Sequence, residues 1–122
     1  MDILVVDDSR TMRMILQRAI RQAGYRALVV VEAENGAQAL EKLQGERPKL
    51  ILSDWNMPEM TGIDFLKEIR ATENHVPFGF VTSEISAEMK VLAMSAGASF
   101  LIGKPFTPQA IEDALSPILG GY

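Results

Sequence analysis

The stretch Ile3-Leu4-Val5-Val6-Asp7-Asp8 is a short, mostly β-branched apolar run that stops at two aspartates. A run of this length and composition predicts a buried strand over Ile3–Val6. Ser9 can cap a helix that follows, and Gly24 can end it. Between these two positions apolar residues recur at steps of three and four, which predicts one apolar helix face. The residues of that face are Met12, Ile15, Leu16, Ala19, Ile20 and Ala23.

The same alternation of strand and helix continues along the chain. The further predicted strands are Leu28–Val31, Leu50–Leu52, Phe78–Val81 and Phe100–Ile102. The further predicted helices are Ala37–Leu43, Gly62–Arg70, Ala87–Ala96 and one from about Pro108 to Leu119. Continuous apolar strands are usually covered on both faces, and strict alternation favours a parallel sheet with right-handed crossovers. The sequence therefore predicts an α/β fold with a five-stranded parallel sheet.

Composition narrows the class of protein. The 122 residues are 48% hydrophobic, which suits one domain with a real core, and the absence of cysteine excludes thiol nucleophiles and thiolate metal sites. A net charge of −4 gives no basic footprint for nucleic acid. No apolar run is long enough to cross a bilayer, and the first residues do not form a signal peptide. We expect a cytoplasmic protein whose residues 1–122 form a single domain without an output domain.

Polar residues follow four of the predicted strands at the point where each strand ends. Asp7 and Asp8 follow the first strand, and Asp54 follows the third. Thr82 and Lys104 follow the fourth and fifth strands. In an open parallel α/β sheet, ligands bind outside the carboxyl edge, where the strand order switches direction. We therefore expect these five side chains to converge on one site.

Three carboxylates held together repel each other. Two unit charges about 4 Å apart interact by roughly 1 kcal/mol in water and roughly 4 kcal/mol at an intermediate dielectric, so the cluster is expected to take up a proton or a cation. Mg²⁺ prefers a few carboxylates, several waters and phosphate oxygens, and Mn²⁺ is an alternative ion. Beside such an ion, Asp54 could attack phosphorus as a carboxylate nucleophile. Lys104 and Thr82 could then hold phosphoryl oxygens.

These motifs together resemble the signature of response-regulator receiver domains. The signature residues are Asp7-Asp8, Asp54 followed by Met57-Pro58, Gly62, Thr82 and Lys104-Pro105-Phe106. The segments most similar to the CheY-like chemotaxis branch are Asp8-Ser9-Arg10-Thr11-Met12-Arg13, Ser53-Asp54-Trp55-Asn56-Met57-Pro58 and Gly97-Ala98-Ser99. The resemblance covers nearly the whole chain in the right order. It implies a doubly wound, flavodoxin-like (βα)5 receiver domain with strand order 2-1-3-4-5.

The resemblance also implies a role for each site residue. Asp54 would be the phosphoacceptor, and Thr82 and Lys104 would hold the phosphoryl group. The implied ligands of Mg²⁺ are Asp8, Asp54 and the backbone carbonyl of Asn56, with Asp7 acting through water. Pro105 would follow a cis peptide bond that aims the lysine, and Pro58 and Gly62 would be structural. Asn56 and Glu84 stand at two positions that tune hydrolysis in the family, and they imply fairly fast self-dephosphorylation.

One position departs from the family pattern. Receiver domains that signal through the face formed by the fourth helix, the fifth strand and the fifth helix usually carry an aromatic residue three positions before the lysine, where this chain has Leu101. Phe100 is adjacent, but side chains alternate faces along a strand, so Phe100 does not simply substitute. The implied output face comprises Ile85, Met94, Leu101 and Ala114, and its apolar character suits a hydrophobic partner.

The resemblance implies a signalling protein and not an enzyme with a separate substrate. The phosphodonor would be a phosphohistidine on a CheA-like sensor histidine kinase, and the first candidate target is the flagellar motor switch. We expect a monomer that binds neither nucleic acid nor membrane. Three alternatives remain open. The first is a receiver of another two-component pathway, either a single domain or one cut from a longer protein. The second is a Mg²⁺-dependent phosphohydrolase, and the third is a binding module that works without phosphorylation.

Two further sets of charged or titratable residues have competing interpretations. The arginines of the first helix lie outside its predicted apolar face, where they form either a solvated surface or a dock for an acidic kinase surface. These are Arg10, Arg13, Arg18 and Arg21. His75, the only histidine, precedes Val76-Pro77 in a predicted loop. We interpret it as solvated and not as a phosphorelay donor.

Overall fold

The computed structural model describes residues 1–120, in which five strands alternate with five helices. The strands are β1 (Ile3–Val6), β2 (Val30–Ala33), β3 (Leu50–Asp54), β4 (Phe78–Thr82) and β5 (Phe100–Gly103). The helices are α1 (Arg10–Gln22), α2 (Gly36–Lys42), α3 (Gly62–Ala71), α4 (Ala87–Ala96) and α5 (Pro108–Leu119). Gly121 and Tyr122, the end of the predicted domain, lie outside the described residues. None of these helices combines the length and apolar character needed to cross a membrane.

The strands form one sheet in the order β2-β1-β3-β4-β5, and every neighbouring pair is parallel. The predicted doubly wound, flavodoxin-like topology is therefore confirmed. The chain moves from β1 outward to β2 and then returns past β1 to β3. Because the strand order switches direction between β1 and β3, the carboxyl ends of these two strands border a crevice.

Two cores cover the two faces of the sheet. Side chains from α2, α3 and α4 pack on one face around Phe65, Phe78 and Phe80. Side chains from α1 and α5 pack on the other face around Leu16 and Ile111. Alternate residues of one strand point to opposite faces, as Leu4 and Val5 do. Burying each large apolar side chain contributes about 1.5–3 kcal/mol, so both cores hold the strand ends in fixed positions.

The predicted boundaries of β2 are wrong by two residues. The strand was expected at Leu28–Val31, but the structure has it at Val30–Ala33. Pairing with β1 decides this, because Val30 lies opposite Ile3 while the backbone of Val29 bonds to Asp2 just before the strand. An edge strand does not need a continuous apolar run, so its bounds are poorly marked in the sequence. The other boundaries agree within one or two residues, and Ala87–Ala96 and Pro108–Leu119 are confirmed as predicted.

The predicted apolar face of α1 is confirmed at its centre and wrong at its edge. Leu16, Ala19 and Ile20 are buried, but Ile15 is 45% exposed. Arg13, which was predicted to lie outside the apolar face, is only 7% exposed. The reason is helical spacing. Position 13 lies three residues before Leu16, so the Arg13 side chain points to the same inward side of the helix, where it bonds to polar groups. The predicted caps are confirmed, because the Ser9 hydroxyl accepts a hydrogen bond from Met12 and Gly24 adopts a φ of 108° after the helix.

Phe100 and Leu101 lie on opposite faces of β5, as their parity predicted. Phe100 packs with the α1/α5 core, whereas Leu101 packs with the other core. Phe100 stands opposite Gly79 of β4, and its ring occupies the space that a Cβ at Gly79 would need. The close approach of ring and backbone therefore requires glycine at position 79.

We expect Gly79→Ala to destabilise the protein by about 1–3 kcal/mol, the usual cost of overpacking a core. Denaturant unfolding measures this change. In a Phe100→Ala background the ring is absent, so the same substitution should cost much less. An equal cost in both backgrounds would show that the ring of Phe100 does not set the requirement.

Candidate functional site

The five polar residues predicted to converge do meet at the carboxyl edge of the sheet. Asp7 follows β1 and Asp54 ends β3, and these strands are paired so that Val6 lies opposite Ser53. Thr82 ends β4, and its carbonyl accepts a hydrogen bond from the backbone N–H of Lys104 at 2.8 Å. The pairing of adjacent strands therefore brings residues from distant parts of the sequence to one crevice.

An acidic cluster forms the centre of the site. Asp7, Asp8 and Asp54 each offer one carboxylate oxygen, and these oxygens all lie within 4.8 Å of one another. Asp7 is buried, Asp54 is half-buried and Asp8 is exposed, so one side of the cluster opens to solvent. A set of carboxylate oxygens with room for water matches the ligand preference of Mg²⁺. The residues present thus fit a hard divalent cation.

Asp7 is held at each of its polar atoms. Its backbone N–H donates to the carbonyl of Ala33 at 3.1 Å, and its own carbonyl accepts from the Arg13 guanidinium at 2.6 Å. Its Oδ1 accepts from the backbone N–H of Ser9 at 2.9 Å, and its Oδ2 accepts from Lys104 Nζ at 3.1 Å. Both carboxylate oxygens are therefore already engaged within the protein.

Asp54 is held on one side only. Its Oδ1 accepts from the backbone N–H of Trp55 at 2.8 Å and lies 3.4 Å from Lys104 Nζ. Among residues 1–120, Oδ2 has no hydrogen-bond donor. Burial, and then the negative charge of Asp7, raise the pKa of the Asp54 carboxyl above its ordinary value, although Lys104 opposes them. The ionised carboxylate is thus less stable here than in water, and a bound cation would relieve it.

Lys104 links two of the carboxylates. Its Nζ lies 3.1 Å from Asp7 and 3.4 Å from Asp54, and the side chain is mostly buried. The Lys104–Pro105 peptide bond is cis, as the sequence resemblance implied. One ammonium group shared by two carboxylates only partly balances their charge, which leaves the site acidic.

Thr82 has a buried hydroxyl at the end of β4. Its side chain is fully buried, and Oγ1 accepts a weak hydrogen bond from the backbone N–H of Glu84 at 3.4 Å. Since the hydroxyl accepts here, its own proton is available for another acceptor. Ser83, the neighbouring hydroxyl, is exposed.

The loop after β3 is packed tightly against the end of that strand. The backbone N–H of Gly62 donates to the carbonyl of Trp55 at 2.8 Å, and a Cβ at Gly62 would overlap the carbonyl of Asp54 and the ring of Phe80. Met57 is buried in the core, while Asn56 and Pro58 are exposed. Glycine at position 62 therefore lets α3 begin directly beside the site.

The side chains of the predicted tuning positions and output face differ in exposure. Asn56 and Glu84 are exposed in the loops after β3 and β4. Ile85 and Met94 are 43% and 54% exposed, whereas Leu101 and Ala114 are half-buried. His75 is exposed, as expected. Two of the four residues of the predicted output face, Ile85 and Met94, are therefore exposed apolar side chains.

Sequence reasoning missed Arg13 and Glu32. Arg13 Nε donates to Glu32 Oε1 at 2.8 Å, in addition to the bond from its guanidinium to Asp7. The available signal was helical spacing, because Arg13 lies on the row of Leu16 and Ile20. The other arginines of α1, which are Arg10, Arg18 and Arg21, are exposed as expected.

Comparisons with known proteins give matches over nearly the whole chain. The family model of the response regulator receiver domain matches residues 3–116. The chain is 42% identical to chemotaxis protein CheY1 of Helicobacter pylori, over 98% of each chain. It is 40% identical to a chemotaxis protein CheY homolog of Campylobacter jejuni, over 98% of this chain and 93% of the homolog.

Solved structures agree with the sequence comparison. Chemotaxis response regulator CheY4 of Vibrio cholerae is 36% identical and superimposes with a TM-score of 0.86, covering 97% of this chain and 98% of the other. A receiver domain from a Syntrophus aciditrophicus signal transduction histidine kinase is 28% identical, with a TM-score of 0.81 over 97% of this chain and 89% of the other. On its sequence, its fold and its acidic site, this chain belongs to the response-regulator receiver domain family.

Proposed function

We propose that this protein is a phosphorylation-activated switch of a two-component system, in which Asp54 accepts a phosphoryl group from a phosphohistidine of a sensor histidine kinase. The observation that carries the proposal is the state of the Asp54 carboxylate. One oxygen is held by Trp55 and Lys104, the other has no donor among the described residues, and two more carboxylates stand within 4.8 Å. A carboxylate held in this way is a nucleophile beside a cation site.

The donor set supports a role for Mg²⁺, with Mn²⁺ as an alternative. Asp8, Asp54 and the carbonyl of Asn56 would bind the ion directly, while Asp7 would act through water, because its own oxygens already accept hydrogen bonds. When bound, the ion neutralises negative charge on the carboxylates and on phosphoryl oxygens. The raised pKa of Asp54 supports this assignment, since a cation would stabilise the ionised form.

Transfer needs no general base. Asp54 Oδ2 attacks phosphorus, the P–N bond to the donor imidazole breaks, and an acyl phosphate forms. Lys104 would exchange its contact with Asp54 for a phosphoryl oxygen, and the Thr82 hydroxyl would donate to a second oxygen. Attack of water on phosphorus later releases inorganic phosphate and restores the carboxylate. Asn56 and Glu84, both exposed, would tune this hydrolysis. The protein would thus catalyse only its own modification.

The output would pass to the α4-β5-α5 face. Thr82 and Lys104 are joined by a backbone hydrogen bond, so a shift of either one is transmitted between β4 and the end of β5. Leu101 lies opposite Phe80 in that strand pair, and Ile85 and Met94 are exposed nearby in sequence. Partner binding on this apolar face would follow the shift, with Leu101 in place of an aromatic ring.

The pathway we propose is chemotaxis or motility. Two relatives at 40–42% identity are named chemotaxis proteins, which supports a CheA-like kinase as donor and the flagellar motor switch as target. A receiver of another two-component pathway is the alternative within this class. The phosphohydrolase alternative lacks an acid at position 56, where Asn56 cannot protonate a leaving group.

Incubation with acetyl phosphate and Mg²⁺ should add one phosphoryl group, which intact mass spectrometry detects. Asp54→Asn should abolish the adduct, and the exposed Asp64→Asn should not change it. Chelation of the metal should prevent the reaction. After removal of the donor, the adduct should disappear within minutes, because hydrolysis is expected to be fast.

Two results would contradict this prediction. An adduct that persists for many hours would exclude a short-lived signal. Steady turnover of varied phosphate esters, without modification of Asp54, would favour a phosphohydrolase.

Without metal at pH 7, Asp54→Asn should unfold at a higher denaturant concentration than the unmodified protein. The raised pKa means that folding favours the protonated carboxyl, so the stability it gives is present at low pH and is lost as the pH rises through the folded-state pKa. The difference should therefore shrink as the pH falls toward 3.8, the ordinary value.

Mg²⁺ should reverse this order of stability. At a hundredfold excess over its Kd, a single-site ligand stabilises the folded state by about 2.7 kcal/mol, and Asp54→Asn should gain much less. A difference that is independent of pH, or an equal gain from Mg²⁺ in both proteins, would contradict the assignment.

Mg²⁺ should change the fluorescence of Trp55, the only tryptophan, because its backbone N–H binds the Asp54 carboxylate at 2.8 Å. Beryllofluoride added with Mg²⁺ should cause a further change. Asp8→Asn should weaken the response to the metal, whereas the distant Asp113→Asn should leave it unchanged. A flat titration together with no heat of binding would exclude the metal site.

A further inference from the structure

A partly buried ion pair, in which Arg13 is buried and Glu32 is half-exposed, lies behind the acidic cluster. Arg13 of α1 donates through Nε to Glu32 Oε1 at 2.8 Å and through its guanidinium to the carbonyl of Asp7 at 2.6 Å. Gln17 donates to Glu32 Oε2 at 2.9 Å, so both oxygens of that carboxylate are engaged. The pair thus joins three elements, β1, α1 and β2, at the carboxyl end of β1.

Stability alone is a weak reason for such a pair. Removing a charge such as that of Arg13 from water has a cost, and well-packed apolar residues often replace a buried ion pair without loss of stability. Arg13 stands on the inward row of α1 with Leu16 and Ile20, where an apolar side chain would be the ordinary choice. The contact with Asp7 is what an apolar residue could not make.

The contact with Asp7 fixes more than one residue. A peptide unit is planar, so a hydrogen bond to the carbonyl of Asp7 also sets the direction of the backbone nitrogen of Asp8. The guanidinium is a rigid fork, and its bond to Glu32 sets the angle at which it meets that carbonyl. Arg13 thereby constrains the backbone that carries two of the three clustered carboxylates.

We propose that Arg13, oriented by Glu32, is a positioning residue that holds the Asp7–Asp8 peptide in the geometry needed for a divalent cation. This inference rests on the proposed function. Outer residues that orient ligands typically change metal affinity by about 10–100-fold when removed. Here the oriented group is the backbone of the ligand residues, so an effect near the low end, about tenfold, is expected.

Charge and geometry predict opposite results for the removal of Arg13. As a cation, Arg13 repels Mg²⁺, so its loss would tighten metal binding if charge dominated. Removing Arg13 also leaves Glu32, 2.8 Å away, without its cation, so charge alone would tighten binding. The inference is that the positioning effect outweighs the electrostatic effect, and that the loss of Arg13 weakens binding.

The test is a Mg²⁺ titration of the full chain, followed by the fluorescence of Trp55 and by calorimetry. Arg13→Met should raise the Kd about tenfold. Arg18→Met removes the same charge from an exposed site on the same helix and should leave the Kd within about twofold. Leu16→Val, which disturbs core packing without touching Asp7, should lower stability but not metal affinity.

A second substitution covers the case in which Arg13→Met does not fold. Arg13→Lys keeps the charge but lacks the fork that reaches both Asp7 and Glu32, so it too should weaken binding. An unchanged or lower Kd in the variants at Arg13 would overturn the inference, because it would leave Arg13 with a purely structural or electrostatic role. Absence of Mg²⁺ binding in the unmodified protein would instead refute the proposed function, and the inference with it.

Discussion

The mutual repulsion of Asp7, Asp8 and Asp54 is the constraint on which the rest of the site depends. Parallel pairing of β1 and β3 brings these carboxylates within 4.8 Å, although folding gains nothing from like charges at that distance. The two apolar cores supply the stability that keeps the strand ends in place. Burial and the charge of Asp7 raise the pKa of Asp54 by more than Lys104 lowers it. The fold thus holds three carboxylates close enough together to bind a cation.

Two cations of the protein divide the task of holding this cluster. Lys104 faces the carboxylates and bridges Asp7 and Asp54, and in the proposed function it would exchange Asp54 for a phosphoryl oxygen. Arg13 stands behind the cluster, binds the backbone and is neutralised by Glu32. Lys104 therefore contacts the carboxylates themselves, while Arg13 keeps the backbone in place. The two roles differ because Lys104 binds carboxylate side chains, whereas Arg13 binds a backbone carbonyl.

The packing around β4 and β5 bears on how a signal would leave the site. The ring of Phe100 fills the space above Gly79 on the α1/α5 side, so it is committed to the core. Leu101 lies on the other side, opposite Phe80, whose ring centroid is 4.7 Å from that of Trp55. Aromatic packing in this region thus begins beside Asp54 and reaches the partner of Leu101. Leu101 therefore packs on the side of aromatic residues from β4 and from the loop after β3, whereas the aromatic residue of β5, Phe100, lies on the other side.

The sequence by itself determined the α/β class, the order of the elements and the set of residues at the strand ends. These features follow from local patterns, because the hydrophobic period and the turn residues act over a few neighbours. Only the tertiary structure decided that Arg13 is buried, that β2 begins at Val30 and that the Asp54 pKa is raised. Each depends on residues far away in the chain: Arg13 meets Glu32 19 positions later, β2 pairs with β1, and the pKa of Asp54 responds to Asp7 and Lys104. A charged side chain can be buried at an inward-facing helix position only if a polar partner lies beside it. No local sequence pattern can show that partner.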